Sequence, residues 1–302
     1  MTYYALGLIG HPVKHSLSPV IHNAALDALA IAGEYRLFDV PEPPNDEPRM
    51  TALIDSLRAG IITGLNVTIP HKQVVLSYLD KLTLAAQSIG AVNTIYRIGD
   101  RLVGDNTDAP GFLKPLESYT PHLKDDRTAL IIGAGGAARA VAYALNKQGW
   151  KLTISARRLQ QAQGLTNSLV KLQRDDESNS KSRQDSDDRH TIRIVALENI
   201  QRVMEWTKVD LVVNTTPIGM TPHEDANPWP DGCDLPPGAI IYDLVYNPAE
   251  TALLRAAKAA GMEYINGLDM LIEQAALAFE CWTGLDAPRD AMRKAASEQL
   301  QR

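Results

Sequence analysis

Short aliphatic and β-branched runs alternate along this chain with runs in which apolar residues recur at helical spacing. The strand-like runs are YALGLIG, GLNVTIP, AVNTIYRI, TALIIGAG, KLTISA, TIRIVAL, VDLVVNTT and AIIYDLVY. Strands that alternate with helices are typical of βαβ units, which build parallel sheets covered by helices. The sequence therefore predicts an α/β protein, and its 302 residues are enough for roughly two domains.

Turn-forming residues and one long apolar segment indicate where the chain passes between domains. The stretch DNTDAPG, residues 105–111, contains turn formers, so we predict the crossover there. Near the C-terminus, DMLIEQAALAFECWTG predicts an apolar helix that needs a partner surface and packs back on the first domain. The segment from Gln173 to His190 has no aliphatic residue, which predicts a disordered surface insertion.

Charge and cysteine content exclude several classes of function. A net charge of −6 and a pI near 5.7 provide no basic field for nucleic acid or an anionic membrane. Cys233 and Cys281 lack metal-ligand spacing and form no disulfide framework, so we predict two buried thiols and no metal. The chain has no long apolar run, and we predict a cytoplasmic protein.

The segment TALIIGAGGAARAVAYAL combines a buried strand, a glycine-rich turn and a helix of small residues. Gly133 allows a tight turn, Gly135 lets the backbone approach a pyrophosphate, and the helix N-terminus attracts phosphate. The alternative is a plain tight turn. The strand–turn–helix context, followed by the strand KLTIS, favours a dinucleotide site.

Two arginines follow that second strand, at Arg157 and Arg158. An NAD enzyme would place a carboxylate there for the ribose hydroxyls. Guanidiniums without a carboxylate suit a 2′-phosphate, through bidentate hydrogen bonds and stacking. We therefore predict NADP(H), the alternative being two solvated arginines.

Polar residues in the N-terminal half stand at helix starts and strand ends, where α/β proteins bind ligands. In HSLSP, Ser16 precedes the predicted N-cap and Ser18 occupies it, so one hydroxyl caps the helix while the other faces a ligand, or both only cap. Further candidates at strand ends, each of which could also be a plain turn residue, are Asn93, Thr94, Asp105, Asn106 and Asp108.

The stretch NVTIPHK places Lys72 in the first turn of a helix that we predict to start at Pro70. A cation at that position faces the positive end of the helix dipole, which disfavours the charged amine and calls for a carboxylate partner. We expect this partner to be Asp108. Such a dyad could transfer a proton to or from a hydroxyl while a nicotinamide exchanges hydride at the same carbon, whereas the alternative is a solvated lysine.

Eight motifs, taken in order, resemble those of the shikimate dehydrogenase family. They are GHPVKHSLSP, GLNVTIPHK, GAVNT, GDNTDAPGF, IGAGGAARA, NTTPIGM, YDLVYNP and GLDMLIEQAALAF. The resemblance implies two α/β domains: a substrate-binding domain formed by 1–107 plus 267–302, and a Rossmann-like NADP-binding domain at 108–266. It also implies reversible NADPH-dependent reduction of 3-dehydroshikimate to shikimate.

The resemblance assigns roles to individual positions. It implies that Lys72 and Asp108 are the catalytic pair. It implies substrate contacts from Ser16, Ser18, Thr68, Asn93, Tyr246 and Gln274. It implies cofactor contacts from Gly133, Ala134, Gly135, Gly136, Ala137 and Arg157, with Met220, Leu244 and Gly267 near the nicotinamide. The sequence departs from the family at Ala156-Arg157-Arg158, where NADP-preferring members commonly have Asn-Arg-Thr, and we expect Arg158 to substitute.

Other functions compete with this interpretation. A quinate or dual quinate/shikimate dehydrogenase of the same superfamily usually prefers NAD, which the two arginines disfavour. A folate-linked methylene dehydrogenase is disfavoured by the HSLSP and DNTD motifs. A catalytically inactive ligand sensor would not need both Lys72 and Asp108. The expected partner is a small-molecule substrate, and a homodimer is a candidate assembly.

Overall fold

The computed structural model describes residues 2–121, 126–179 and 191–301. The chain divides into two compact units, Met1–Gly111 with Ile272–Arg302, and Phe112–Leu271. Each unit is built on a six-stranded sheet with helices, which confirms the prediction of two α/β domains. The units divide inside two helices, whereas we predicted boundaries after residues 107 and 266.

The first unit carries a mixed sheet in the order β2-β1-β3-β5-β6-β4. Its strands are β1 Tyr4–Gly10, β2 Gly33–Asp39, β3 Gly64–Val67, β4 Lys81–Leu82, β5 Thr94–Ile98 and β6 Arg101–Asp105. Its helices are α1 Ser18–Ala28, α2 Glu47–Arg58, α3 Leu84–Ile89 and the start of α4, Asp108–Leu116. The division after Gly111 lies at the end of DNTDAPG, where we predicted the crossover, although α4 already begins at Asp108.

The expectation of parallel strands was wrong in part of this sheet. β5 pairs antiparallel with both β3 and β6. The reason is the two-residue connection between β5 and β6, in which Gly99 adopts a φ of 59°. A connection this short returns the chain beside itself and can join only antiparallel strands.

The second unit carries a parallel sheet in the order β12-β11-β10-β7-β8-β9. Its strands are β7 Thr128–Ile132, β8 Lys151–Ala156, β9 Ile192–Ala196, β10 Leu211–Asn214, β11 Ile240–Asp243 and β12 Tyr264–Ile265. Its helices are α5 Gly136–Lys147, α6 Leu159–Asn179, α7 Ile200–Trp206 and α8 Ala252–Ala259. The strand order reverses between β7 and β10, and ligands of such sheets bind at the carboxyl ends of the strands at that point.

The C-terminal helices are α9 Leu268–Thr283 and α10 Arg289–Leu300. The end of α9 returns to the first unit, where Trp282 Nε1 donates to the carbonyl of Ile95 at 3.0 Å. Gly64 makes this packing possible, because a Cβ there would lie 2.2 Å from the Trp282 ring. The return of the C-terminal helices to the first domain is therefore confirmed.

The predicted disordered insertion at 173–190 was wrong for its first part. Helix α6 continues to Asn179, so the backbone is helical there. Residues 180–190 lie outside the described residues.

Candidate active site

The backbone around Lys72 differs from our expectation. Pro70 to Gln73 form turns, and a short 3-10 helix follows at Val74–Tyr78, so the predicted α-helix over this stretch was wrong. The amide of Val92 donates to the carbonyl of Lys72 at 2.8 Å, which fixes the turn against the loop before β5. The helix dipole therefore does not explain the lysine, and its surroundings must.

The Lys72 ammonium lies against a carboxylate. Its Nζ donates to Asp108 Oδ2 at 2.5 Å, and the two side chains are only 14% and 6% exposed. Asp108 is the first residue of α4, where the positive end of the helix dipole stabilises a negative charge. The predicted contact is thus present, and it is a short charge-assisted hydrogen bond that is largely shielded from water.

Asn93 fixes the other oxygen of that carboxylate. Its Oδ1 accepts the backbone N–H of Thr107 at 2.8 Å, which determines the orientation of the amide. Nδ2 then donates to Asp108 Oδ1 at 2.9 Å and to Gln274 Oε1 at 3.3 Å. The structure therefore brings together four predicted site residues, Lys72, Asn93, Asp108 and Gln274, in one hydrogen-bonded group.

The two serines are arranged differently from our expectation. Ser18 is the first residue of α1 and the N-cap is Leu17, so the predicted N-cap at Ser18 was wrong by one residue. Ser16 Oγ accepts the Ser18 amide at 3.2 Å and donates to Ser18 Oγ at 3.1 Å. Thr68 is half-buried directly after β3, and its amide donates to Ile9 O at 2.8 Å.

Two of the polar candidates at strand ends serve the fold. Asp105 Oδ1 accepts from Thr83 Oγ1 at 2.6 Å and from the Asn106 amide at 2.7 Å. Asn106 Nδ2 donates to Ala91 O at 2.9 Å. These contacts fix the chain directly before α4, so both residues help to position Asp108, the first residue of that helix.

Sequence reasoning missed Asn66, which is buried in β3. Its Nδ2 donates to Asn93 O at 3.1 Å, and its Oδ1 accepts from the Tyr35 hydroxyl at 2.8 Å. The available signal was a polar residue inside an otherwise apolar strand, since such a residue needs buried partners.

His22 lies one turn after Ser18 on α1 and is fully buried. Its ring stacks on Tyr35 with a centroid distance of 4.3 Å and an interplanar angle of 5°. Neither ring nitrogen has a hydrogen-bond partner among the residues that the structure describes. Burial penalises the imidazolium and lowers the pKa of His22 from 6.5 to about 3.

Acid is expected to destabilise the protein through His22. Because its folded-state pKa lies below the unfolded value, the unfolded chain takes up the proton first, and stability is lost as pH falls from the unfolded pKa toward the folded one. Between about pH 6.5 and about pH 4.5 this amounts to about 2 kcal/mol in the free energy of unfolding. Urea unfolding followed by tryptophan fluorescence measures it.

His22→Phe removes the titrating group and should lose correspondingly less stability over the same interval. The matched control is His15→Phe, because His15 is exposed. If the free energy of unfolding depends equally on pH in His22→Phe and in the unmodified protein, the loss of stability in acid does not come from His22.

In the second unit, the glycine-rich turn follows β7. Gly133 has a φ of 118°, and a Cβ there would lie 2.4 Å from Thr215 Oγ1. Gly135 is the N-cap of α5, and a Cβ on it would meet no atom within 4 Å. The first turn of α5 has no acidic residue and no side-chain cap, so its N–H groups are available for an anion. This geometry, which includes Ala134, Gly136 and Ala137, fits a pyrophosphate.

Arg157 and Arg158 are exposed directly after β8, the neighbour of β7. This is the position at which a parallel sheet of this order meets the adenosine ribose. Two exposed guanidiniums there fit a 2′-phosphate.

The remaining predicted ligand residues of this unit follow β10, β11 and β12. They are the cofactor candidates Met220, Leu244 and Gly267 and the substrate candidate Tyr246. A Cβ on Gly267 would lie 2.0 Å from the carbonyl oxygen of Leu244, and its amide donates to Val245 O at 3.1 Å. Met220 is 41% exposed, and Tyr246 is half-buried. The structure therefore places these residues in loops that follow the carboxyl ends of adjacent strands.

Other predictions concern metals, membranes and thiols. The described part of the chain contains no cluster of His, Cys, Asp or Glu that could hold a metal ion. None of its helices is long and apolar enough to span a bilayer. The prediction that both thiols are buried was wrong, because Cys281 is exposed and Cys233 is half-buried.

Comparison with known proteins gives a consistent result. The model of the shikimate dehydrogenase substrate-binding domain matches residues 8–95, and that of the shikimate 5′-dehydrogenase C-terminal domain matches 267–296. A Salinibacter ruber protein named shikimate dehydrogenase (NADP(+)) is 44% identical over 289 residues, which cover 94% of each chain.

Solved structures are similar over the whole length. Thermus thermophilus shikimate 5-dehydrogenase, in complex with NADP(H) and shikimate, matches with a TM-score of 0.79 and 36% identity over 98% of this chain and 99% of that one. Quinate dehydrogenase from Corynebacterium glutamicum, in complex with NAD, matches with a TM-score of 0.83 and 33% identity over 98% and 100%. The chain therefore belongs to the shikimate dehydrogenase family.

Proposed function

We propose that this protein is an NADP(H)-dependent shikimate dehydrogenase, which reversibly reduces 3-dehydroshikimate to shikimate. The observation that carries the proposal is the buried ion pair between Lys72 and Asp108, oriented by Asn93. It is supported by several curated relatives that are named shikimate dehydrogenase (NADP(+)) and are 37–44% identical. The reaction belongs to aromatic amino-acid and chorismate biosynthesis.

The ion pair suits proton transfer to a ketone oxygen. NADPH, when bound, supplies the hydride that reduces the carbonyl carbon. The carbonyl oxygen gains negative charge in that step and must receive a proton, which the Lys72–Asp108 pair delivers. In the reverse direction the hydroxyl gives its proton to the same pair. Asp108 keeps the ammonium in place, because the other carboxylate oxygen is held by Asn93.

Hydroxyl and amide groups are proposed to bind the substrate. Its hydroxyl and carboxylate groups need neutral hydrogen-bonding partners of fixed orientation. The serine pair at the start of α1 and the amides beside Asp108 provide them. The proposed substrate-binding residues are Ser16, Ser18, Thr68, Asn93, Tyr246 and Gln274.

The second unit is proposed to bind NADP(H). The uncapped start of α5 receives the pyrophosphate, and Arg157 and Arg158 receive the 2′-phosphate. The proposed pyrophosphate-binding residues are Gly133, Ala134, Gly135, Gly136 and Ala137. Those proposed to line the nicotinamide are Met220, Leu244 and Gly267.

Quinate oxidation with NAD is the second candidate, because the quinate dehydrogenase with bound NAD is similar over the whole chain. Purified protein should be assayed by absorbance of the reduced cofactor, crossing shikimate and quinate with NADP and NAD. We expect fast turnover with shikimate and NADP. Comparable turnover of quinate with NAD would establish the second candidate, and no turnover of any pair would favour a ligand sensor.

The compartment and the assembly are further parts of the proposal. Two free cysteines, one of them exposed, suit the reducing environment of the cytoplasm. A homodimer stays a prediction, and light scattering of the purified protein tests it.

A further inference from the structure

Two loops of the second unit carry residues to which the proposed function assigns ligand contacts. The Met220 loop, residues 215–222, follows β10, and the Tyr246 loop, residues 244–248, follows β11. Asp243, the last residue of β11, stands between them and is completely inaccessible to solvent.

The Asp243 carboxylate accepts three hydrogen bonds. Oδ1 accepts from Asn214 Nδ2 at 2.8 Å and from the Val245 amide at 3.0 Å. Oδ2 accepts from Thr251 Oγ1 at 2.7 Å. One oxygen thus holds the end of β10 and the start of the Tyr246 loop, and the other holds the N-cap residue of α8.

Asn214 passes this constraint to the Met220 loop. With Nδ2 directed at Asp243, its Oδ1 accepts from the amide of Thr216 at 3.0 Å and from Thr216 Oγ1 at 2.7 Å. The Thr216 hydroxyl in turn lies 3.3 Å from the amide of Ile218. The turn that leads to Met220 is therefore shaped through the Asn214 side chain.

The Tyr246 loop has little room to move. The Leu244 amide donates to Asn214 O at 3.0 Å, and Gly267 packs so closely that a Cβ on it would lie 2.0 Å from Leu244 O. A shift of either loop would therefore disturb the other, because Asp243 and Asn214 link them directly.

We propose that Asp243 is a positioning residue for NADP(H) binding, which holds the Met220 and Tyr246 loops in one fixed arrangement. This inference rests on the proposed function, since the role of the two loops in cofactor binding comes from it. Asp243 acts through Asn214 and Val245.

The position is energetically unfavourable for a carboxylate because it is completely buried, and its three hydrogen bonds, all from neutral donors, offset that cost only in part. Burial raises the pKa of Asp243 from 3.8 to about 6. A neutral amide or hydroxyl could accept the hydrogen bond of Thr251, the N-cap residue of α8, without burying a charge. A carboxylate offers acceptor sites on both oxygens, which suits it to three donors from three directions.

Asp243→Ala removes all three hydrogen bonds and should raise KM for NADP about tenfold or more. KM for shikimate should rise by a smaller factor, because the released Tyr246 loop also carries a proposed substrate contact. Asp243→Asn keeps an acceptor oxygen for Asn214 and Val245, and its amide can donate to Thr251. It should restore KM for NADP to within about twofold of the unmodified value.

Thr251→Ala is the matched structural control. It removes the bond to Oδ2 and the cap of α8 but leaves the contacts of Oδ1. It should lower the midpoint of thermal unfolding and leave KM for NADP unchanged. If Asp243→Ala does not fold, Asn214→Ala replaces it, because it breaks the same link to the Met220 loop and should cause the same rise in KM.

Equilibrium binding of NADPH, followed by its fluorescence, reads the effect without turnover. A variant without the Asp243–Asn214 link that binds NADPH as tightly as the unmodified protein would overturn the inference. In that case turnover of shikimate by the unmodified protein would still support the proposed function. If the unmodified protein did not turn over shikimate, the proposed function would be wrong. The role of Asp243 would still be tested, because NADPH binding is measured without turnover.

Discussion

Replacing Lys72 with alanine is expected to lower kcat for shikimate oxidation by about 100-fold or more. The reason is the loss of the ammonium that lies 2.5 Å from Asp108 in a site where both side chains are largely buried. Steady-state absorbance of NADPH measures the change.

The activity lost in Lys72→Ala has two sources that can be separated. The first is the missing proton transfer, and the second is a lower stability of the folded protein. Without Lys72, the Asp108 carboxylate remains buried and loses its ion-pair partner, which also costs stability. Thermal unfolding of Lys72→Ala and Asp108→Asn reports that second source. The double variant should lose little more activity than either single one, because residues that act as a unit are not additive.

The control for this prediction is Lys294→Ala. Lys294 belongs to the first unit, and its side chain is 78% exposed on α10. Its replacement should leave kcat unchanged. Full turnover by Lys72→Ala would refute the proton-transfer role of Lys72. The proposed activity would still stand if the unmodified protein oxidised shikimate with NADP.

The fold was predictable where the sequence pattern has one physical interpretation. Runs such as TALII, which is apolar after its first residue, suit a strand of a parallel sheet covered on both faces, and β7 is buried along its whole length. The strand β2, GEYRLFD, was not predicted, because charged residues interrupt its apolar pattern at the edge of the sheet.

The turn after β3 shows why local pattern was insufficient for the site. The apolar spacing after Pro70 suits an α-helix, yet the backbone carbonyl of Lys72 accepts its hydrogen bond from Val92, a residue of another segment. A tertiary contact therefore replaced the helix that propensity predicts. The contact of Lys72 with Asp108 was predicted from a helix dipole that the structure does not have, and it is explained instead by burial, because a nearly buried ammonium requires a carboxylate.

The supporting residues were harder to find. Asn66 and Tyr35 lie on different strands and make their contacts through the sheet, so no local spacing relates them. Ser18 was placed one residue from its true position because proline follows it, and proline is accepted at the first or second position of a helix. The role of a site side chain changes if its position is predicted wrongly by one residue. A strand is still recognised when its ends are predicted wrongly by one residue, because its pattern extends over several residues.

Replacing Arg157 and Arg158 together with alanine is expected to lower kcat/KM for NADP by about 100-fold, with little change for NAD. Both side chains are exposed after β8, so their guanidiniums are free to meet a 2′-phosphate rather than to hold the fold. NAD lacks that phosphate and loses only stacking on adenine. Initial rates with shikimate and each cofactor, at fixed ionic strength, measure the ratio.

Salt provides an independent reading of the same contacts. Attraction between exposed arginines and a phosphate weakens as ionic strength rises, so KM for NADP should increase with salt in the unmodified protein and much less in the double variant. Arg202→Ala is the control, because Arg202 is an exposed arginine on α7 of the same unit. An equal loss for NADP and NAD would show that the arginines bind a part of the cofactor that both share, and the preference for NADP would then need another source.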